Sequence, residues 1–126
     1  IKIQALPAVA MFRQWLDDIR EAYSSSRLFV APLFIGTGLQ NKLLEAMAQE
    51  LPCLTTQLCN NALEAKEGED ILIAESVNGF AEQIIQFLSS SEDYHKQTQK
   101  AKGFIQSNYN WKVIGESLNN DLEKLL

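Results

Sequence analysis

The sequence predicts an α/β fold built on a parallel sheet, on three observations. Short apolar runs alternate with longer amphipathic ones along the chain. The clearest apolar runs are continuous, as expected of strands covered on both faces. Turns rich in glycine or capping residues separate the runs from the helical patterns that follow, the signature of βαβ units. In sheets of this kind ligands bind outside the carboxyl ends of the strands.

The elements follow in order. Residues 1–6 read equally as strand or helix, and Pro7 interrupts them. Residues 9–12 read as a short strand. Asp17 and Asp18 supply an N-cap and an acidic first turn, with Ile19, Ala22 and Tyr23 on one helical face, and Ser24 to Ser26 end that helix. Residues 28–32 (Leu-Phe-Val-Ala-Pro) form a continuous apolar run, predicting a buried parallel strand. The loop Gly36-Thr37-Gly38 follows, then a helix reaching about Glu50. At 100° per residue this helix gathers Leu43, Leu44, Met47, Ala48 and Leu51 on one side, with Lys42, Glu45, Ala46 and Gln49 on the other. Residues 52–56 predict a strand with Pro52 first, where a missing N–H does least harm. A polar loop with a short helix over 61–65 leads to a strand at 71–74. Ser76 caps a helix over 77–88. Another helix begins near Ser91 and ends before Asn110, carrying Tyr94, Ala101, Phe104 and Ile105. The last, over 111–126, bears a stripe of Trp111, Ile114, Leu118, Leu122 and Leu125 that must bury against something.

Composition narrows the function. The 126 residues suit one domain, and 46% hydrophobic content supports an ordinary core. A net charge of −5 with scattered Lys and Arg argues against nucleic acid. No run approaches the roughly 20 apolar residues of a membrane span. Cys53 and Cys59 match neither a disulfide framework nor a zinc spacing and suit a reducing cytoplasm, with Cys53 packing as a small hydrophobe. The chain opens at Ile1 without a methionine, so a missing native N-terminus is expected.

The chemistry concentrates where the strand at 28–32 ends, glycines turn the backbone and a helix starts at once. Amides at such a helix start carry the positive end of the dipole and suit phosphate. The Gly-x-Gly spacing matches neither the dinucleotide fingerprint nor the Walker loop. Lys42 and Glu45 read in two ways. They make a solvated (i, i+3) surface pair, or Lys42, set in the first turn where the dipole disfavours a cation, faces a bound anion.

Residues 31–48, Ala-Pro-Leu-Phe-Ile-Gly-Thr-Gly-Leu-Gln-Asn-Lys-Leu-Leu-Glu-Ala-Met-Ala, continue into Gln-Glu-Leu-Pro-Cys-Leu-Thr-Thr. This segment resembles the central motif of group 1 glycosyltransferases, in the branch reading Pro-Leu-x-x-Gly-x-Gly-x-x-x-Lys-x-x-Glu-Ala-Met-Ala. The flanks are similar too: Trp15-Leu-Asp-Asp-Ile-Arg20, Gly68-Glu-Asp-Ile-Leu-Ile-Ala74 and Tyr109-Asn-Trp111. The resemblance runs from about Trp15 to Leu126.

The resemblance implies a retaining enzyme of the two-lobed GT-B fold. This chain, residues 1–126, would be a truncated C-terminal nucleotide-sugar-binding lobe with a Rossmann-like partial sheet lacking its first two strands. Gly36, Thr37 and Gly38 would offer backbone amides to the diphosphate, Lys42 would neutralise phosphate charge, and Glu45 would accept hydrogen bonds from the ribose hydroxyls. No catalytic side chain, metal or cofactor is implied beyond the nucleotide-diphosphate sugar. The parent would transfer a sugar to a glycan or lipid-linked acceptor in polysaccharide assembly, in the cytoplasm or at the inner-membrane surface. The acceptor-binding N-terminal lobe is expected to be missing, the chain alone inactive, and its exposed sheet edges prone to dimerise.

Three positions depart from the family pattern. Ile35 stands at the first motif glutamate, while Glu50 and Gln14 stand at glycines; positive φ at either of the latter would be strained. A sugar-nucleotide epimerase lobe and a non-catalytic α/β interaction module are the alternatives. Elsewhere, His95 has no partner placed by spacing for catalysis, and Trp15 reads as packing. Glu64, Glu67, Glu69 and Asp70 read as a solvated turn, and Thr55 and Thr56 lie at a strand end where a donor pocket would open.

Overall fold

A computed structural model describes residues 17–36, 38–90 and 94–125. Three short strands, β1 (Phe29–Ala31), β2 (Cys53–Thr55) and β3 (Leu72–Ile73), pair in parallel in the order β1-β2-β3. Phe29 faces Cys53, and Leu54 faces Leu72. Each strand leads through a loop or turn into a helix, so the expected βαβ architecture holds: an α/β fold with a three-stranded parallel sheet flanked by helices. The strand expected at residues 9–12, the segment 1–6 and Trp15 lie outside the described residues.

The helices begin where their caps predict. Helix α1 (Ile19–Ser25) starts at Asp18, whose carboxylate accepts the Arg20 N–H. Helix α2 (Asn41–Ala48) follows the glycine loop. Helix α3 (Gln57–Leu63) starts a turn earlier than residues 61–65, because the Thr56 hydroxyl caps it by accepting the Cys59 N–H. Ser76 caps α4 (Val77–Ser89) through the Gly79 N–H. Helices α5 (His95–Asn108) and α6 (Trp111–Leu125) complete the order.

The core has two faces, as strand alternation demands. Cys53 points to one side with Tyr23, Leu43, Met47, Leu63 and Ile105, so α1, α2, α3 and α5 cover that face. Leu54 points to the other with Ala74 and Phe80, beneath α4. The central β2 is buried throughout.

Three burial expectations are corrected. The run 28–32 is not a fully buried strand: β1 is the sheet's edge among the described residues, and Val30 is 37% exposed. Ala46, expected on the polar side of α2, is fully buried, because α2 packs against α5 as well as the sheet. The α6 stripe buries against nothing among the described residues; Trp111 and Leu125 are exposed, and α6 has no buried residue.

Candidate functional site

The site is built from the backbone leaving β1. Two hydroxyls, from the last residue of β2 and the residue after it, hold that backbone: Thr55 Oγ1 donates to the Ala31 carbonyl at 3.0 Å, and Thr56 Oγ1 to the Leu33 carbonyl at 2.7 Å. Both threonines are buried. They do not line an open pocket at the strand ends; they fasten the loop to the sheet. Beyond them Phe34 packs edge-on against Phe80 at 5.9 Å, and Ile35 is almost wholly exposed.

Gly36 and Gly38 then take φ values of 123° and 97°, backbone conformations that L side chains rarely adopt. A Cβ at either would meet nothing within 4 Å, so the backbone angle, not crowding, calls for glycine. Thr37 lies outside the described residues. Helix α2 starts without a side-chain cap: Gln40 makes no capping bond, and no acidic residue occupies the first turn. The Leu43 and Leu44 N–H groups donate to the Gln40 carbonyl, while the amides before them have no place in the helical ladder and face the loop.

Lys42 and Glu45 separate. Lys42 is exposed and makes no ion pair among the described residues, so the surface pair with Glu45 does not form. It borders a cleft of about 220 Å³ along β1, with Phe29, Pro32 and Gln40. Glu45 borders a different cleft, of about 330 Å³, between α1 and α2. There its Oε2 accepts the Tyr23 hydroxyl at 3.0 Å.

Tyr23 is a site neighbour that sequence reasoning placed only on the inner face of α1. Its ring is buried and meets Phe29 edge-on at 6.2 Å. Its hydroxyl pKa is pushed up to about 12, first by burial and then by the Glu45 carboxylate. Tyr23 and Glu45 are 22 residues apart, and only the packing of α1 on α2 joins them.

Glu50 does take the positive φ that a glycine position would require, at 58°. The Leu51 N–H bonds the Ala46 carbonyl and the Glu50 N–H that of Met47, the two bonds of a Schellman cap ending α2. The Glu50 carboxylate meets Lys102 Nζ at 2.6 Å, tying the end of α2 to α5, and that lysine holds its pKa below the usual carboxylate value.

Other candidates fall into place as solvated or packed groups. Glu69 bridges Lys66 and Lys100, and the Asp70 carboxylate accepts the Lys66 N–H. His95 is exposed at the start of α5, beside Gln99 one helical turn on. Cys53 and Cys59 are buried free thiols, and burial pushes Cys53 up to about 12. Among the described residues no group of three His, Cys, Asp or Glu side chains could hold a metal. No helix among them is long and apolar enough to cross a membrane.

Residues 2–90 match the family described as "Glycosyl transferases group 1", and the chain belongs to it. Among curated proteins, it is 31% identical over 110 residues to the Bacillus subtilis (strain 168) "Spore coat protein SA", covering 85% of this chain and 29% of that protein. It is 26% identical over 102 residues to an "Uncharacterized 44.6 kDa protein in cps region" of Klebsiella pneumoniae, covering 81% of this chain and 26% of that protein. The chain thus spans under a third of the length of these relatives. No solved structure matches it.

Proposed function

We propose that this chain is the donor-binding part of a retaining, two-lobed glycosyltransferase that moves a sugar from a nucleotide diphosphate to a glycan or lipid-linked acceptor. The observation that carries the reading is the β1–loop–α2 unit, with two positive-φ glycines in front of a helix start that no side chain caps. In this reading the amides of Gly36, Thr37 and Gly38 and the first turn of α2 stabilise the charge growing on the leaving diphosphate. Lys42, without an ionic partner among the described residues, supplies a point cation. Glu45 offers its carboxylate to the ribose hydroxyls, oriented meanwhile by Tyr23. In this reading the acceptor is bound by the other lobe of the two-lobed fold, and the 126 residues alone transfer no sugar. Membership of the glycosyltransferase family supports the reaction class.

Calorimetric titration with UDP and with GDP tests it. Binding of one nucleotide by the folded chain, weakened about tenfold or more in Glu45→Ala and in Lys42→Ala, is expected. Binding that neither substitution weakens would remove both residues from the donor site.

A further inference from the structure

A second cleft lies at the opposite end of the sheet from the glycine loop. It has a volume of about 380 Å³ and opens between α4, α5 and the turn at Gly68 and Glu69 that leads into β3. That volume falls within the roughly 300–1,000 Å³ of small-ligand sites and accommodates a sugar ring or two. We propose that this cleft binds a neutral, hydroxyl-rich ligand, a short stretch of oligosaccharide, at a site separate from the donor nucleotide. The inference goes beyond the function proposed above and does not depend on it.

The lining carries the argument. Gln83 and Gln86 project from α4 and Gln97 from α5, and none of these amides has a hydrogen-bond partner among the described residues. A carboxamide both donates and accepts, as does each sugar hydroxyl, so three amides converging on one cleft match a polyol. Tyr94 forms one wall, its ring held against the buried Phe87 at a centroid distance of 4.5 Å. It is thus a fixed aromatic surface with a polar tip, suited to the mixed faces of a pyranose.

Charge favours an anionic ligand only weakly. Lys100 lines the cleft but meets the Glu69 carboxylate at 3.1 Å, and Glu69 also pairs with Lys66. One carboxylate is thus shared by two lysines, and Lys96 is the one lysine of the lining without an ion pair among the described residues. A single exposed lysine offers little grip on a phosphate, whereas the amides are indifferent to ligand charge.

Saturation-transfer difference NMR on the full chain tests the proposal, with neutral tetrasaccharides of glucose and of N-acetylglucosamine as probes. Transfer to the ring protons of at least one is expected. It should weaken about tenfold in the Gln83→Ala/Gln86→Ala variant, which removes two amides. Alanine is the strongest helix former, so α4 should survive, as circular dichroism would verify. Glu45→Ala should leave the transfer intact, and saturating UDP should not displace the sugar. Absence of transfer from both sugars, or equal transfer in the double variant, overturns the proposal. So does displacement by millimolar inorganic phosphate, which would mark an anion site, or by UDP, which would merge the cleft with the donor site.

Discussion

Replacing Thr56 by valine removes one hydroxyl from a fully buried position while keeping the side chain's shape. That oxygen makes two bonds: it donates to the Leu33 carbonyl at 2.7 Å and accepts the Cys59 N–H at 3.3 Å. The second is the N-cap of α3, and losing such a cap costs about 1 kcal/mol. The first is an ordinary side chain–backbone bond, contributing about 1 kcal/mol net. Valine leaves no cavity, so the sum, about 2 kcal/mol, is the whole expected loss. Thr56→Ser is the complementary change. It keeps both bonds and deletes one buried methyl, a loss of about 1 kcal/mol. For a domain of this size each kcal/mol moves Tm by about 3–5 °C, so valine should lower Tm by about 6–10 °C and serine by about half as much. Thermal and urea unfolding followed by far-UV circular dichroism give the Tm shifts and the free-energy losses, the latter provided the m-value is unchanged. If valine is as stable as threonine, or less harmful than serine, the hydroxyl does not fasten the loop to the sheet as argued.

Two further outcomes are expected. Glu64 ends α3 at φ 60° and ψ 29°, in the left-handed region. Glu64→Gly should relieve about 1–2 kcal/mol of strain and lose about 0.5–1 kcal/mol to the more flexible unfolded chain. Net stabilisation of about 0.5–1 kcal/mol in urea should follow, and any loss of stability would count against the strain. The Glu69 carboxyl is held below its usual 4.5 by hydrogen bonds from Lys66 and then Lys100. A pKa lowered on folding contributes stability above the unfolded value, and that contribution is lost as pH falls through the folded value. The urea midpoint should therefore decline below about pH 4.5, and Glu69→Gln should flatten that decline. An unchanged acid slope in Glu69→Gln would assign the decline to other carboxylates.

Much of the architecture was legible because the signals that encode it act over a few residues. Asp18 and Ser76 cap the helices they precede, since a cap needs only the two or three amides after it. The positive φ of Glu50 was anticipated only through the glycine that the family pattern has there, since the helix itself was expected to reach about Glu50. The glycines at 36 and 38 mark the loop for a local reason, the turn of the backbone there. The parallel strands could be found from their apolar runs alone.

Several of the errors share one cause, contact between distant segments. Thr55 and Thr56 look like pocket residues until the strand register sets their hydroxyls against the carbonyls of Ala31 and Leu33. Ala46 reads as a polar-face residue of an isolated helix, but α5 packs on that face and buries it. Of the two readings of Lys42 and Glu45, the surface pair does not form: Glu45 instead accepts from Tyr23, brought in from α1. Periodicity, caps and turn glycines thus determined which elements form and where the loop in front of α2 falls, because those choices depend on neighbours along the chain. Which side chains meet across elements, and hence which groups stay free for a ligand, was decided only by the tertiary structure, because sheet register and helix docking join residues that no local spacing relates.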